Sequence, residues 1–214
     1  MITVATLLWD ANEHSGEFSS AYDESWADKL YRGFKRNLTI PFRMVVWTDR
    51  EREFGEDIEQ RRIKAKTPTF ACCIEPYELN EPMILVGLDT IICGNIDHMA
   101  KYALDGGELA VPRDPIHTHR ACNGVALVPG GKKELMYDRW RNENDMDWIN
   151  ANPHALIDDL WPGQVQSWRV HVRGEGHTSQ PVQYPKDMRI CYFHGRHKPE
   201  TLAENDPWIR EHWR

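Results

Sequence analysis

Met83-Ile84-Leu85-Val86-Gly87-Leu88-Asp89-Thr90 carries a carboxylate to the end of an apolar run, and the reading of that run decides the fold. A run of this length and composition predicts a strand buried on both faces, as in a parallel or mixed sheet covered by helices. In such sheets ligands collect outside the carboxyl ends of the strands. An acidic residue there can hold a hard divalent cation, which in turn can hold phosphate oxygens. Asp89 is therefore the first candidate for chemistry.

The segments on either side predict alternating strands and helices. Ile2 to Leu8 alternates and is rich in β-branched residues, a strand ending at Trp9-Asp10. From Tyr22 to Asn37 the residues Trp26, Leu30 and Phe34, continued by Leu38, recur every fourth position and mark one stripe of a helix. Ser20 and Asp23 are its candidate caps. Pro41 breaks it, and Phe42 to Trp47 is a second strand closed by Thr48-Asp49. Ile58 to Ile63 is a weaker strand and Phe70 to Leu79 a short helix. Beyond Asp89 the chain enters a short helix near Ile96 to Tyr102, with Asp97 as a cap, then strands at Leu109 to Val111 and Val125 to Val128. A helix is expected from Gly130-Gly131 to Arg141, with Leu135, Met136 and Trp140 facing inward. The last third, rich in tryptophan, proline and glycine, reads as a wall of loops with strands at Ser167 to Val172 and Arg189 to Phe193. The fold class is α/β, a mixed and mostly parallel sheet flanked by helices, in a single domain over 1–214.

Composition narrows the function. With 41% hydrophobic and 28% charged residues the chain is an ordinary globular protein, and a net charge of -7 argues against a phosphate-backbone footprint. Arg61, Arg62, Lys64 and Lys66 form one small basic cluster, explained by a solvated strand face. No nucleic-acid partner is expected. The amino terminus lacks a secretory pattern and no apolar run approaches the ~20 residues of a membrane span, so a cytoplasmic protein without a transmembrane segment is expected. Five cysteines, Cys72, Cys73, Cys93, Cys122 and Cys191, lack the paired spacing of a zinc site and read as reduced, buried thiols.

Four segments then match a known pattern in order: Phe42 to Asp49 with its Thr-Asp end, Leu88 to Asp97 around Asp89, Asn123-Gly124-Val125-Ala126-Leu127, and Phe193-His194-Gly195-Arg196-His197-Lys198-Pro199. Together they resemble the GT-A-type nucleotide-sugar glycosyltransferases, in the group of bacterial and phage proteins similar to glycogenin and to the lipooligosaccharide galactosyltransferases. No single segment is specific; the ordered set is. The resemblance implies a GT-A-like fold in which 1–130 binds the nucleotide sugar and 131–214 holds the acceptor side and the terminal motif. The implied reaction moves a hexose from a nucleoside diphosphate sugar, UDP-linked, to a glycan, protein or lipid-linked acceptor, metal-assisted and with retention.

The resemblance also implies roles. Asp89 and His194 would hold Mn2+ or Mg2+, the cation acting as a Lewis acid on the departing diphosphate. Gly87 stands where the family places the first aspartate of its DxD motif. Lys198 and the Gly195 amide would grip the diphosphate. Thr6, Leu7 and Asp10 would meet the base and ribose, with Tyr22 as a stacking partner. Asn144 to Ile149 resembles the family's DQD segment with Met146 in place of the glutamine, leaving Asp145 and Asp147 as sugar-hydroxyl acceptors or a base. Asn123 either faces the acceptor sugar or shapes the Asn-Gly turn. Trp148, Trp161 and Trp168 are acceptor platforms or packing anchors, and His117, His119, His171 and His177 carry no ligand spacing beyond the His-Thr-His pair. Gly87 and Met146 motivate the alternative, a catalytically silent GT-A module that binds a nucleotide or glycan.

Overall fold

The computed structural model describes residues 1–174 and 184–214. Among these residues the strands are β1 (Ile2–Leu8), β2 (Phe42–Thr48), β3 (Ile58–Arg62), β4 (Met83–Val86), β5 (Ile91–Ile92), β6 (Leu109–Val111), β7 (Val125–Val128), β8 (His154–Leu156), β9 (Val165–Ser167) and β10 (Ile190–Tyr192). Seven of them form the main sheet in the order β3-β2-β1-β4-β7-β6-β8. Pairings are parallel except where β7 runs against β4 and β6, so one reversed strand interrupts an otherwise parallel sheet. β5, β10 and β9 make a second, three-stranded sheet.

Alternation along the strands explains why both faces are covered. In β1, β2, β4 and β7 the residues Val4, Met44, Val46, Ile84, Val86, Val125 and Leu127 enter one core. Their neighbours Ala5, Val45, Trp47, Met83, Leu85, Ala126 and Val128 enter the other. Successive side chains of a strand point to opposite faces, so a run without polar residues needs a partner layer on each side. On the first face lies α1 (Glu24–Asn37), whose Trp26, Leu30 and Phe34 are buried as their spacing predicts. Asp23 caps it, accepting from the Ser25 N–H at 3.0 Å, a contribution of about 1 kcal/mol. α2 (Asp97–Asp105) packs Met99, Ala100 and Ala103 into the same core, joined by Ile91, Val165, Ile190 and Cys191 of the second sheet. Asp97 is not that helix's cap: it starts the helix, and its carboxylate accepts from the Thr39 N–H and Oγ1–H at 2.8 and 2.5 Å. The opposite face is covered by the 3-10 segment Phe70–Leu79 and by α3 (Asp145–Ala151).

Three expectations change. The helix foreseen from Gly130 to Arg141 shrinks to a π-helical turn, Glu134–Asp138, in which Met136 is the buried anchor. The strand foreseen over Ser167 to Val172 ends at Ser167, and Trp168–Val172 is another π-helical turn. There Ser167 Oγ accepts from the Val170 N–H, and Trp168 turns inward to stack on Phe193 with ring centroids 5.8 Å apart. The wall of loops is partly ordered as β8, α4 (Ile157–Leu160), α5 (Pro199–Leu202) and α6 (Pro207–His212). Among the described residues all five cysteines carry free thiols, Cys72, Cys93, Cys122 and Cys191 buried and Cys73 half-buried. Among the described residues no helix is long and apolar enough to cross a membrane.

Candidate active site

Where β7 reverses beside β4, the carboxyl ends of β1 and β4 open onto a cavity of about 270 Å³. That is near the lower end for small-molecule sites, so a ligand the size of a nucleotide sugar would also occupy its mouth. Thr6 and Leu7 reach it from β1, Asp89 from the turn after β4, and Asn123 from the approach to β7. Asp145 arrives on α3, and His194, Gly195 and Lys198 on the segment between β10 and α5.

Asp89 sits in a tight turn: the Thr90 N–H donates to the Gly87 carbonyl, and the Gly87 N–H to the Gly124 carbonyl, both at 3.1 Å. Asp89 is 8% exposed and Lys198 4%; the Asp89 carboxylate is bonded through Oδ2 to the Lys198 ammonium and accepts from the Tyr22 hydroxyl at 2.9 Å. The ammonium also lies 5.6 Å from the Tyr22 ring centroid. Burial first, and the Asp89 charge second, push the Tyr22 phenol far up, so it stays a donor. Tyr22 lines the cavity with Trp26 edge-on against its ring at 4.7 Å and its hydroxyl on Asp89.

His194 accepts from or donates to Ser167 Oγ at 2.7 Å. Burial, then the Arg169 and Lys198 cations, hold its imidazole below 6.5, so it is neutral at pH 7. Gly195 turns the chain with φ 75°, a left-handed conformation that glycine adopts without strain. On the far wall Asn123 Nδ2 donates to Asp145 Oδ2 at 3.0 Å, while the Asn123 N–H points at Met146 Sδ. Burial raises the Asp145 carboxyl against the lowering effect of that bond. Two buried oxygens around the cavity, Asn123 Oδ1 and Thr6 Oγ1, have no hydrogen-bond partner among the described residues. Since such atoms are costly unless bonded, they are suited to a ligand's hydroxyls or amides.

Two expected site residues lie elsewhere. Asp147 is exposed and pairs with Arg120 at 2.7 Å, because on α3 it points away from Asp145. Asp10 is exposed, outside the cavity, and bound by Arg50 and the buried Arg52, each at 2.8 Å; the Arg50 hydrogen bond above all lowers its carboxyl. Arg52 also grips Asp49 and Glu24, tying these acids together beside the ends of β1 and β2. The three tryptophans are packing anchors: Trp168 stacks on Phe193, Trp161 meets His98 and Tyr102, and Trp148 Nε1–H donates to the Met136 carbonyl. His117 and His119 sit exposed on a turn, and His177 lies outside the described residues.

Sequence reasoning missed Trp9 and Phe70, which line the mouth with ring centroids 6.1 Å apart, Phe70 being 45% exposed. Trp9 was findable as the residue that leaves β1. Phe70 carried no signal, since its place depends on the fold of the 3-10 segment.

Asp89 and His194 do converge on one cavity, yet they are a thin donor set for Mn2+ or Mg2+. Among the described residues no group of three or more His, Cys, Asp or Glu stands together to hold an ion. An ion on Asp89 would have to share the carboxylate with the Lys198 ammonium, whose like charge repels it at close range. His194 Nε2 is engaged with Ser167. The residues present do not fit a resident divalent ion.

No protein family's model matches the sequence, and no curated protein does. Solved structures match in shape. The glycosyltransferase GlyE of Streptococcus pneumoniae TIGR4 aligns with TM-score 0.61 and 15% identity over 98% of this chain and 62% of that one. The galactosyltransferase LgtC, solved with donor and acceptor sugar analogues, aligns with TM-score 0.57 and 12% identity over 98% of this chain and 94% of that one. The bifunctional glycosyltransferase WbbM gives 0.59 and 10%, over 98% and 50%. The chain thus spans less than two thirds of GlyE and nearly all of LgtC. It has a GT-A-like fold.

Proposed function

We propose that this chain is a glycosyltransferase that binds a nucleoside diphosphate sugar, UDP-linked, and moves its hexose to a glycan, protein or lipid-linked acceptor. One observation carries the reading: Thr6, Asp89, Asn123, Asp145, His194 and Lys198, scattered over the chain, line a single cavity outside the carboxyl ends of parallel strands. Likeness of fold to known glycosyltransferases supports glycosyl transfer in general.

Breaking the bond from the anomeric carbon to the diphosphate leaves negative charge on the leaving oxygens. Donors already aimed there lower the barrier without reorganising during the step. Lys198 and the Gly195 N–H are such donors, and a neutral His194 can add one ring N–H. Thr6, with Leu7 beside it, meets the nucleoside end; Asn123 and Asp145 meet the sugar and acceptor. A carboxyl raised by burial is suited to taking a proton from an attacking hydroxyl, the role assigned to Asp145. Retention at the anomeric carbon follows from the resemblance and belongs to the proposal.

A panel of nucleotide sugars tests this. A donor at about 100 times its dissociation constant stabilises the fold by ~2.7 kcal/mol, raising the melting temperature by roughly 5–10 °C, and turnover releases free nucleoside diphosphate. No shift with any donor overturns the proposal. A shift without release supports the silent module, a reading favoured by the Met146 sulfur that occupies the Asn123 N–H.

A further inference from the structure

The carboxylate pair of the DxD pattern is reduced here to one acid, and that acid is already matched by a cation of the chain. We infer that Lys198 is a built-in cation for the diphosphate, so that nucleoside diphosphates bind this cavity without a divalent metal ion. The inference rests on the reading of the cavity as a nucleotide-sugar site.

Position 87 is the first argument. A Cβ added at Gly87 would stand 3.1 Å from Asp89 Oδ1, so the turn is closed tightly around a single carboxylate. The second is the other oxygen, Oδ2, which already takes the Lys198 ammonium and the Tyr22 hydroxyl. The third is the fixity of Lys198. Its carbonyl accepts from the Thr201 and Leu202 N–H groups at the start of α5, its side chain is buried, and its ammonium lies over the Tyr22 ring. A surface lysine would spend side-chain entropy on each phosphate contact; this one has already been ordered by folding. An ammonium has three N–H donors and can share itself between a carboxylate and a phosphate oxygen. The Arg169 guanidinium, whose Nη1 is 3.8 Å from a Cβ placed on Gly195, adds positive charge on the same side.

Binding of UDP, GDP and ADP to the full chain is measured by calorimetry in EDTA and again in MnCl2, and Mn2+ alone is titrated into the protein by electron paramagnetic resonance. The expected result is one nucleotide whose dissociation constant in EDTA lies within about threefold of its value in Mn2+, and no uptake of Mn2+ by the protein alone. Lys198→Met should weaken binding in EDTA by about tenfold or more, the loss of a charge-assisted donor. Lys198→Arg should keep most of it. Asp89→Asn combined with Lys198→Met, which leaves no charge stranded, should match the weakened binding of Lys198→Met if that variant folds poorly. Binding seen only with Mn2+, or tight Mn2+ uptake by the protein alone, overturns this inference and leaves the glycosyltransferase reading standing. Failure of all three nucleotides in both conditions overturns both.

Discussion

Lys198→Met should destabilise the fold far more than an ordinary lysine substitution. Asp89 and Lys198 are 8% and 4% exposed and bonded to each other, so removing the ammonium strands a carboxylate in a nearly dry place. Breaking a buried pair in this way costs about 3–5 kcal/mol. In a chain of 214 residues, at about 2–4 °C per kcal/mol, the melting temperature should fall by roughly 6–20 °C. Asp89→Asn, which strands the ammonium, should cost the same order. The two together should cost much less than the sum, within about 2 kcal/mol of the parent, because neither charge remains. Urea unfolding followed by fluorescence of the nine tryptophans gives all four stabilities from midpoints at constant slope. A Lys198→Met cost below about 1 kcal/mol, with additive singles, is the behaviour of an exposed pair and would refute the reasoning.

Other consequences follow from the same geometry. His194 is held below 6.5 by burial and neighbouring cations, so its contribution is complete above pH 6.5 and is lost as pH falls through the lowered folded value, where the unfolded chain takes up the proton first. His194→Gln should flatten the stability profile measured below pH 6.5; an unchanged slope would count against the buried neutral imidazole. Asp145 has the opposite sense: its folded value is raised above 3.8, so its contribution is complete below pH 3.8 and lost as pH rises through the raised value. Asp145→Asn keeps an acceptor for Asn123 and should raise the melting temperature at neutral pH while cutting turnover; a lower melting temperature would contradict this. Gly124→Ala would bring a Cβ to 2.9 Å from Tyr192 Cδ2, inside a packed ring, and should cost about 1–3 kcal/mol in the same urea assay. A neutral result would show that the ring can shift.

Legibility followed the range of the interactions. Strands β1, β2, β4 and β7 and helix α1 could be read because each advertises its burial locally, as an alternating or unbroken apolar run or as a four-residue stripe. β10 lies inside the strand expected over Arg189 to Phe193, whereas β5 and β9 have two and three residues, too few for a period to show, and exist because each pairs with β10 across the chain. The expected strand over Ser167 to Val172 failed for a related reason: alternation there was overridden by the stacking of Trp168 on Phe193, a partner remote in sequence. Candidate residues divided in the same way. Asp89, Asn123, His194 and Lys198 stood in recognisable segments and meet in the cavity, whereas Asp10 and Asp147 stood in equally suggestive ones and are taken by Arg52 and Arg120.

By itself the sequence determined a helix-covered, mostly parallel sheet and put an acid at the end of its central strand, because the pattern of burial along a strand is written residue by residue. Only the tertiary structure decided what that acid does. Its partner cation lies 109 residues away, and the cost of leaving a charge unmatched in a dry interior depends on which distant side chains fold against it.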